Sequence, residues 1–113
     1  MQSSRLFVVI PVRDEEKRIS RCLASLRSAL SRLARPSTVI VVDDGSSDGT
    51  EAVVRDRFAD LVRFVPTDSK AGGGKAAALG RAFRSLGAFA VRPDDLLLFL
   101  DADVVLAESS LES

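Results

Sequence analysis

Four short runs rich in Leu, Val, Ile and Phe, each followed within a few positions by acid, set what this chain can become. They are Leu6–Ile10, Thr38–Val42, Leu61–Val65 and Leu96–Leu100. Runs of this length and composition read as strands, and the unbroken first run is what a strand covered on both faces looks like. Helical spacing fills the intervals. Ile19, Cys22, Leu23, Leu26, Leu30 and Leu33 form one apolar stripe, Val53, Val54 and Phe58 a second within Thr50–Ala59, and Leu79, Ala82, Phe83 and Leu86 a third that ends at Gly87. Asp14, Glu15 and Glu16 suit the first turn of the first helix, Arg32 and Arg35 its last turn, and Pro36 its stop. Asp48 and Glu51 have the spacing of a capping box for the second. Val104–Ser113 carries a weak helix signal. Strand and helix thus alternate, the pattern of an α/β fold with a parallel, Rossmann-like sheet and right-handed crossovers.

At 113 residues the chain is expected to be one domain with one core. Its 16 basic and 16 acidic residues cancel, so no general pull toward nucleic acid or anionic membrane is expected, and function must come from a local constellation. Cys22 is the one cysteine and histidine is absent, which excludes an internal disulfide and a thiolate zinc site and suits a reduced, cytoplasmic setting. On its helical stripe Cys22 reads as a small core residue. Leu6–Ile10, broken by Pro11 and followed by charge, is too short for a signal-peptide core or a membrane span.

In a parallel sheet, ligands bind beyond the carboxyl ends of the strands. That rule gathers Asp14, Glu15, Asp43, Asp44, Asp68, Asp101 and Asp103 on one edge. It sends Asp94 and Asp95, which precede a strand, to the other edge as solvated turn residues. If residues 101 to 103 remain extended, Asp101 and Asp103 share a side, and two such acids call for a proton, a basic partner or a cation. With oxygen ligands alone that cation would be Mg²⁺ or Mn²⁺. Gly72-Gly-Gly-Lys75 lacks the spacing of a Walker A loop and follows the wrong strand for a dinucleotide fingerprint. It reads either as a flexible loop, Thr67–Gly74, presenting Lys75 to an anion, or as the site of a solvated lysine. Arg13, Ser46, Ser47 and Asp48 follow strands as well, with ordinary roles as a solvated charge and as turn and cap residues.

Four segments, in order, resemble the amino-terminal part of the family 2 glycosyltransferases, inverting enzymes of GT-A fold. They are Val9-Ile-Pro-Val-Arg-Asp-Glu-Glu16, Val41-Val-Asp-Asp-Gly-Ser-Ser-Asp-Gly-Thr50, Gly74-Lys-Ala-Ala-Ala-Leu79 and Phe99-Leu-Asp-Ala-Asp103. The resemblance implies a nucleotide-diphospho-sugar donor, UDP- or GDP-linked. Pro11 and Glu15 would border the nucleoside, and Asp43, beside Asp44 in the same signature, would hydrogen-bond the base. Lys75 would lie by the base or phosphates, Asp101 would face ribose and metal, and Asp103 would bind the Mg²⁺ or Mn²⁺ that bridges the diphosphate. Asp14 and Gly80 each stand where the family usually has Asn.

The resemblance further implies a sheet of order 3-2-1-4 with helices on both faces, a truncated GT-A domain over residues 1–113. The acceptor half and its general base are expected to be missing, since Glu108 and Glu112 sit in no matching context. Strand four would then expose an apolar edge, for which self-association is expected. A non-catalytic remnant or interaction module of the same fold is the alternative reading.

Overall fold

The chain is seen here in a computed structural model, which describes residues 4–67 and 73–112 and, of Lys75, the backbone alone. The elements run β1 (Leu6–Val12), α1 (Ile19–Leu30), β2 (Ser37–Asp43), α2 (Thr50–Arg57), β3 (Val62–Val65), α3 (Gly74–Leu86) and β4 (Leu96–Phe99). The strands form one parallel sheet in the order β3-β2-β1-β4, as expected. Its register pairs Val9 with Ile40 on one side and with Phe99 on the other.

The period of two splits the core into two layers. Leu6, Val8, Ile10, Val39 and Val41 face α1 and α2, while Phe7, Val9, Ile40 and Val42 face α3. Burial of each such side chain contributes roughly 1.5–3 kcal/mol, and among the described residues the central pair β1 and β2 supplies most of the fully buried ones. Pro11 belongs to β1 although it lacks an N–H. Leu100 N–H bonds to Val9 O (3.0 Å), so residues of that parity face β4, which has already ended where Pro11 would have donated.

Several local expectations give way to tertiary contacts. Helix α1 starts at Ile19, so Asp14, Glu15 and Glu16 lie in the turn before it. There the Glu15 carbonyl accepts from Arg18 N–H (3.0 Å) and Ile19 N–H (2.8 Å). Its last turn holds Arg27, with Arg32 and Arg35 beyond the end. No capping box forms at α2: Asp48 Oδ1 accepts from Thr50 N–H (2.9 Å), and Glu51 pairs with Arg55 (2.7 Å). The inward stripe of α3 is Ala78, Ala82 and Leu86; Leu79 is half-buried and Phe83 is 53% exposed, its ring edge-on to Phe99 at 6.0 Å. Gly87 stays right-handed, and the left-handed residue falls three later, at Ala90 (φ 50°).

Asp94 is exposed as expected, but Asp95 is not a solvated residue. Its side chain is 1% exposed and bonds the Arg5 guanidinium (2.7 Å) and the Arg5 N–H (3.0 Å). Arg5 also donates to the carbonyls of Phe89 (2.9 Å) and Ala90 (3.0 Å), closing the edge of the sheet opposite the candidate site. Side-chain bonding from Arg5 leads the causes that hold the Asp95 carboxyl well below the usual carboxylate range. Residues 104–112 form turns instead of a helix and lie along α1. Leu106 N–H bonds Ser25 Oγ (2.9 Å), while Arg32 reaches Glu108 (3.2 Å) and Glu112 (2.5 Å).

Candidate functional site

At the carboxyl edge of the sheet lies a cavity of about 390 Å³, lined by Pro11, Val12, Arg13, Glu15, Asp44, Asp101, Ala102 and Asp103. Three loops build it, one following each of β1, β2 and β4. The first two are cross-tied by side chains. Asp14 takes the left-handed conformation (φ 52°), which short polar residues tolerate. Its Oδ1 accepts from Ser47 N–H (2.7 Å) and Asp48 N–H (3.3 Å), and its own N–H donates to Ser46 Oγ (2.9 Å). Glu16 Oε1 accepts from Gly49 N–H (3.1 Å), packed so closely that a Cβ on Gly49 would stand 2.6 Å from the other Glu16 oxygen.

Thr50, fully buried, joins both loops. Its Oγ1 accepts from Glu15 N–H (2.9 Å), and its hydroxyl makes a short bond to Asp48. Desolvation pushes the Asp48 carboxyl up, but the bonds from the Thr50 hydroxyl and N–H and from Glu16 N–H outweigh it and hold its pKa below the ordinary value. The Glu15 carboxylate, so anchored through its backbone, pairs with Arg18 (2.6 Å) at the mouth of the cavity.

The third wall comes from the end of β4. Residues 101 to 103 do not stay extended: Val104 N–H closes a turn onto Asp101 O (3.1 Å). Even so, buried Ala102 separates two exposed acids, and both Asp101 and Asp103 line the cavity. Behind them the Cys22 thiol donates to Asp101 O (3.8 Å). Burial, with Asp103 and Glu15 nearby, pushes that thiol up to about 11, so Cys22 is an inert packing group.

Of the residues singled out by sequence, Pro11, Glu15, Asp44, Asp101 and Asp103 come together in the cavity. Asp43 does not line it; the side chain is buried and both carboxylate oxygens accept from Ser46 N–H (3.3 Å each). Lys75 lies in the first turn of α3, its side chain outside the described residues, as are Asp68 and most of the expected loop. Sequence reasoning passed over the tie from Thr50 to Glu15 and the buried Arg81. For Arg81 the signal was its place three residues after Ala78 and one before Ala82, on the inward stripe of α3.

Among the described residues no three acid, cysteine or histidine side chains converge as a closed metal site. Asp101 and Asp103 offer hard, exposed oxygens on one wall, a donor set suited to Mg²⁺ or Mn²⁺ when a ligand's own oxygens complete the shell.

A parallel sheet of this order with acids at its carboxyl edge is the architecture of GT-A sugar-nucleotide enzymes. The chain belongs to glycosyl transferase family 2, whose profile it matches over residues 7–113. It is 33% identical over 98 residues to undecaprenyl-phosphate 4-deoxy-4-formamido-L-arabinose transferase of Aeromonas hydrophila, covering 86% of this chain and 28% of that one. A mannosyltransferase from Pyrobaculum calidifontis, solved with GDP-Man and Mn²⁺, superposes with a TM-score of 0.70 at 26% identity over 92% of this chain and 29% of that one. Glucosyl-3-phosphoglycerate synthase from Mycobacterium tuberculosis, solved with Mn²⁺, UDP and glucosyl-3-phosphoglycerate, gives 0.62 at 27% identity over 94% of this chain and 36% of that one. The chain therefore spans about a third or less of these relatives.

Proposed function

We propose that this chain is the donor-binding portion of an inverting glycosyltransferase, holding a UDP- or GDP-linked sugar in the cavity at the carboxyl edge of the sheet. The observation that carries this is the convergence of Pro11, Glu15, Asp44, Asp101 and Asp103 on one cavity of about 390 Å³, a size within the usual range for small-molecule sites. Relatives of the same fold were solved with UDP or GDP-Man and with Mn²⁺.

In this reading Pro11 and Glu15 border the nucleoside, and Asp101 and Asp103 hold Mg²⁺ or Mn²⁺ together with the diphosphate. When bound, the cation neutralises charge on the departing nucleoside diphosphate as a Lewis acid. Arg13, at the rim, adds a positive charge on the same side. Asp43 acts through the shape of the loop it binds, unless its carboxylate leaves Ser46 for the base. Lys75 meets the base or phosphates from the start of α3. Neither Glu108 nor Glu112 lines the cavity, and both pair with Arg32 at the surface beside α1. The donor-binding role uses residues 1–113 as one domain, and sugar transfer needs an acceptor half that these residues do not supply. A cytoplasmic setting suits the buried free thiol of Cys22, and no helix among the described residues is long and apolar enough to cross a membrane.

The alternative reading, a non-catalytic remnant or interaction module of the same fold that binds no nucleotide, is favoured by the outer edge of β4, where Leu96, Leu97 and Phe99 are exposed. Two copies can pair these edges antiparallel about a two-fold axis.

Calorimetric titration of UDP, GDP and their sugar conjugates, with and without Mn²⁺, tests the donor reading beside Asp103→Ala. Metal-dependent binding of one nucleotide, lost in the variant, is expected. A folded chain that takes up neither nucleotide would overturn it.

A further inference from the structure

Among the described residues Arg81 is the one buried lysine or arginine, at 8% exposure. It stands on the inward stripe of α3 between Ala78 and Ala82, where an apolar side chain would pack without penalty. Burying a guanidinium is costly unless acids or carbonyls meet it. Here they come from the end of β2: Nη2 donates to Asp43 O in a short bond and lies 3.9 Å from Asp44 Oδ1. The pairing is incomplete. Arg81 Nε and Asp44 Oδ1 are both buried with no hydrogen-bond partner. Asp44 is also a wall of the cavity. A contact optimised for stability alone would leave neither atom orphaned.

We infer that Arg81 is a positioning residue for the ligand site: it clamps the Asp43–Asp44 end of β2 to α3 and so fixes Asp44 in the cavity wall that a bound nucleotide would meet. The clamp matters because several acids share this edge, and Arg81 supplies a buried positive charge behind them. It also couples two pieces of the site, since α3 begins at Gly74–Lys75 and β2 ends at Asp43. The inference rests on the donor reading for its ligand, whereas the clamp itself can be observed in the ligand-free chain.

The test compares Arg81→Gln, which keeps an N–H donor without charge, with Arg81→Lys, which restores the charge. In ¹H–¹⁵N spectra of the ligand-free chain, Arg81→Gln is expected to shift the amides of Asp44, Gly45 and Ser46 while those of Leu6–Val9 and α1 stay in place. Arg81→Lys is expected to move them back toward wild type. By titration with Mn²⁺ and whichever of UDP or GDP the chain binds, Arg81→Gln should lose about tenfold in affinity, the scale of one charge-assisted hydrogen bond, and Arg81→Lys should recover most of it. A folded Arg81→Gln with unshifted amides and wild-type affinity overturns the inference. If Arg81→Gln does not fold, Asp44→Asn reads the contact from its other side: the side-chain Nε–H resonance of Arg81 should move, and its staying put overturns the clamp. If the wild-type chain binds neither nucleotide, the donor reading fails, and the ligand-free spectra still decide for or against the clamp.

Discussion

Thr50→Val removes one oxygen from a fully buried position and keeps the shape of the side chain. The structure assigns that oxygen two bonds, from Glu15 N–H at 2.9 Å and to Asp48. Asp48 retains bonds from the N–H groups of Thr50 and Glu16 and faces solvent, so its loss is small. Glu15 N–H is partly buried, and leaving such a donor unpaired costs about 1–3 kcal/mol. We therefore expect Thr50→Val to destabilise the chain by roughly 2 kcal/mol, near the middle of that range. Thr50→Ser, which keeps the oxygen and loses a methyl, should cost only about 1 kcal/mol. Urea denaturation of the three proteins, compared at equal m-values, gives the order directly. Nucleotide titration should show weaker binding for the valine variant, because Glu15 loses its backbone anchor beside the cavity. If the valine variant is as stable as wild type, or the serine variant is the less stable of the two, then Thr50 acts by packing and the hydrogen-bond account is wrong.

Cys22, with its pKa pushed up to about 11 from 9.0, should alkylate about 90-fold more slowly in the native chain than in urea at pH 8, from thiolate fraction alone; equal rates of iodoacetamide labelling would refute its burial. Asp95 titrates well below its ordinary value of 3.8, with Arg5 bonding as the leading cause. A carboxyl lowered by folding stabilises above its unfolded pKa and loses that contribution as pH falls toward the folded one. Thermal melts below pH 3.8 should therefore fall more steeply for wild type than for Asp95→Asn, and parallel slopes would contradict the pairing. At the sheet edge, sedimentation velocity should show concentration-dependent self-association reduced by Leu97→Lys; a wild-type chain that stays monomeric at high concentration would sink edge pairing.

Strand and helix identity was legible in the sequence because it depends on local period and composition: Leu6–Ile10 and Thr38–Val42 seed β1 and β2, and the stripe from Ile19 marks α1, although that helix starts after the acids expected in its first turn and ends at Leu30, before Leu33. The edge that carries Asp44, Asp101 and Asp103 was legible too, since parallel crossovers bring the carboxyl ends of all strands to one side. Tertiary structure alone decided what several charged groups do, because their partners come from far along the chain. Asp95 is buried by Arg5, which lies 90 residues earlier. Arg81 is drawn inward by the end of β2, and Phe83 is left outside while Ala78 and Ala82 face the sheet. Asp43 and Asp44 read alike in sequence, yet successive side chains at a strand end point to opposite faces. One therefore meets Ser46 N–H and the other meets the cavity and Arg81.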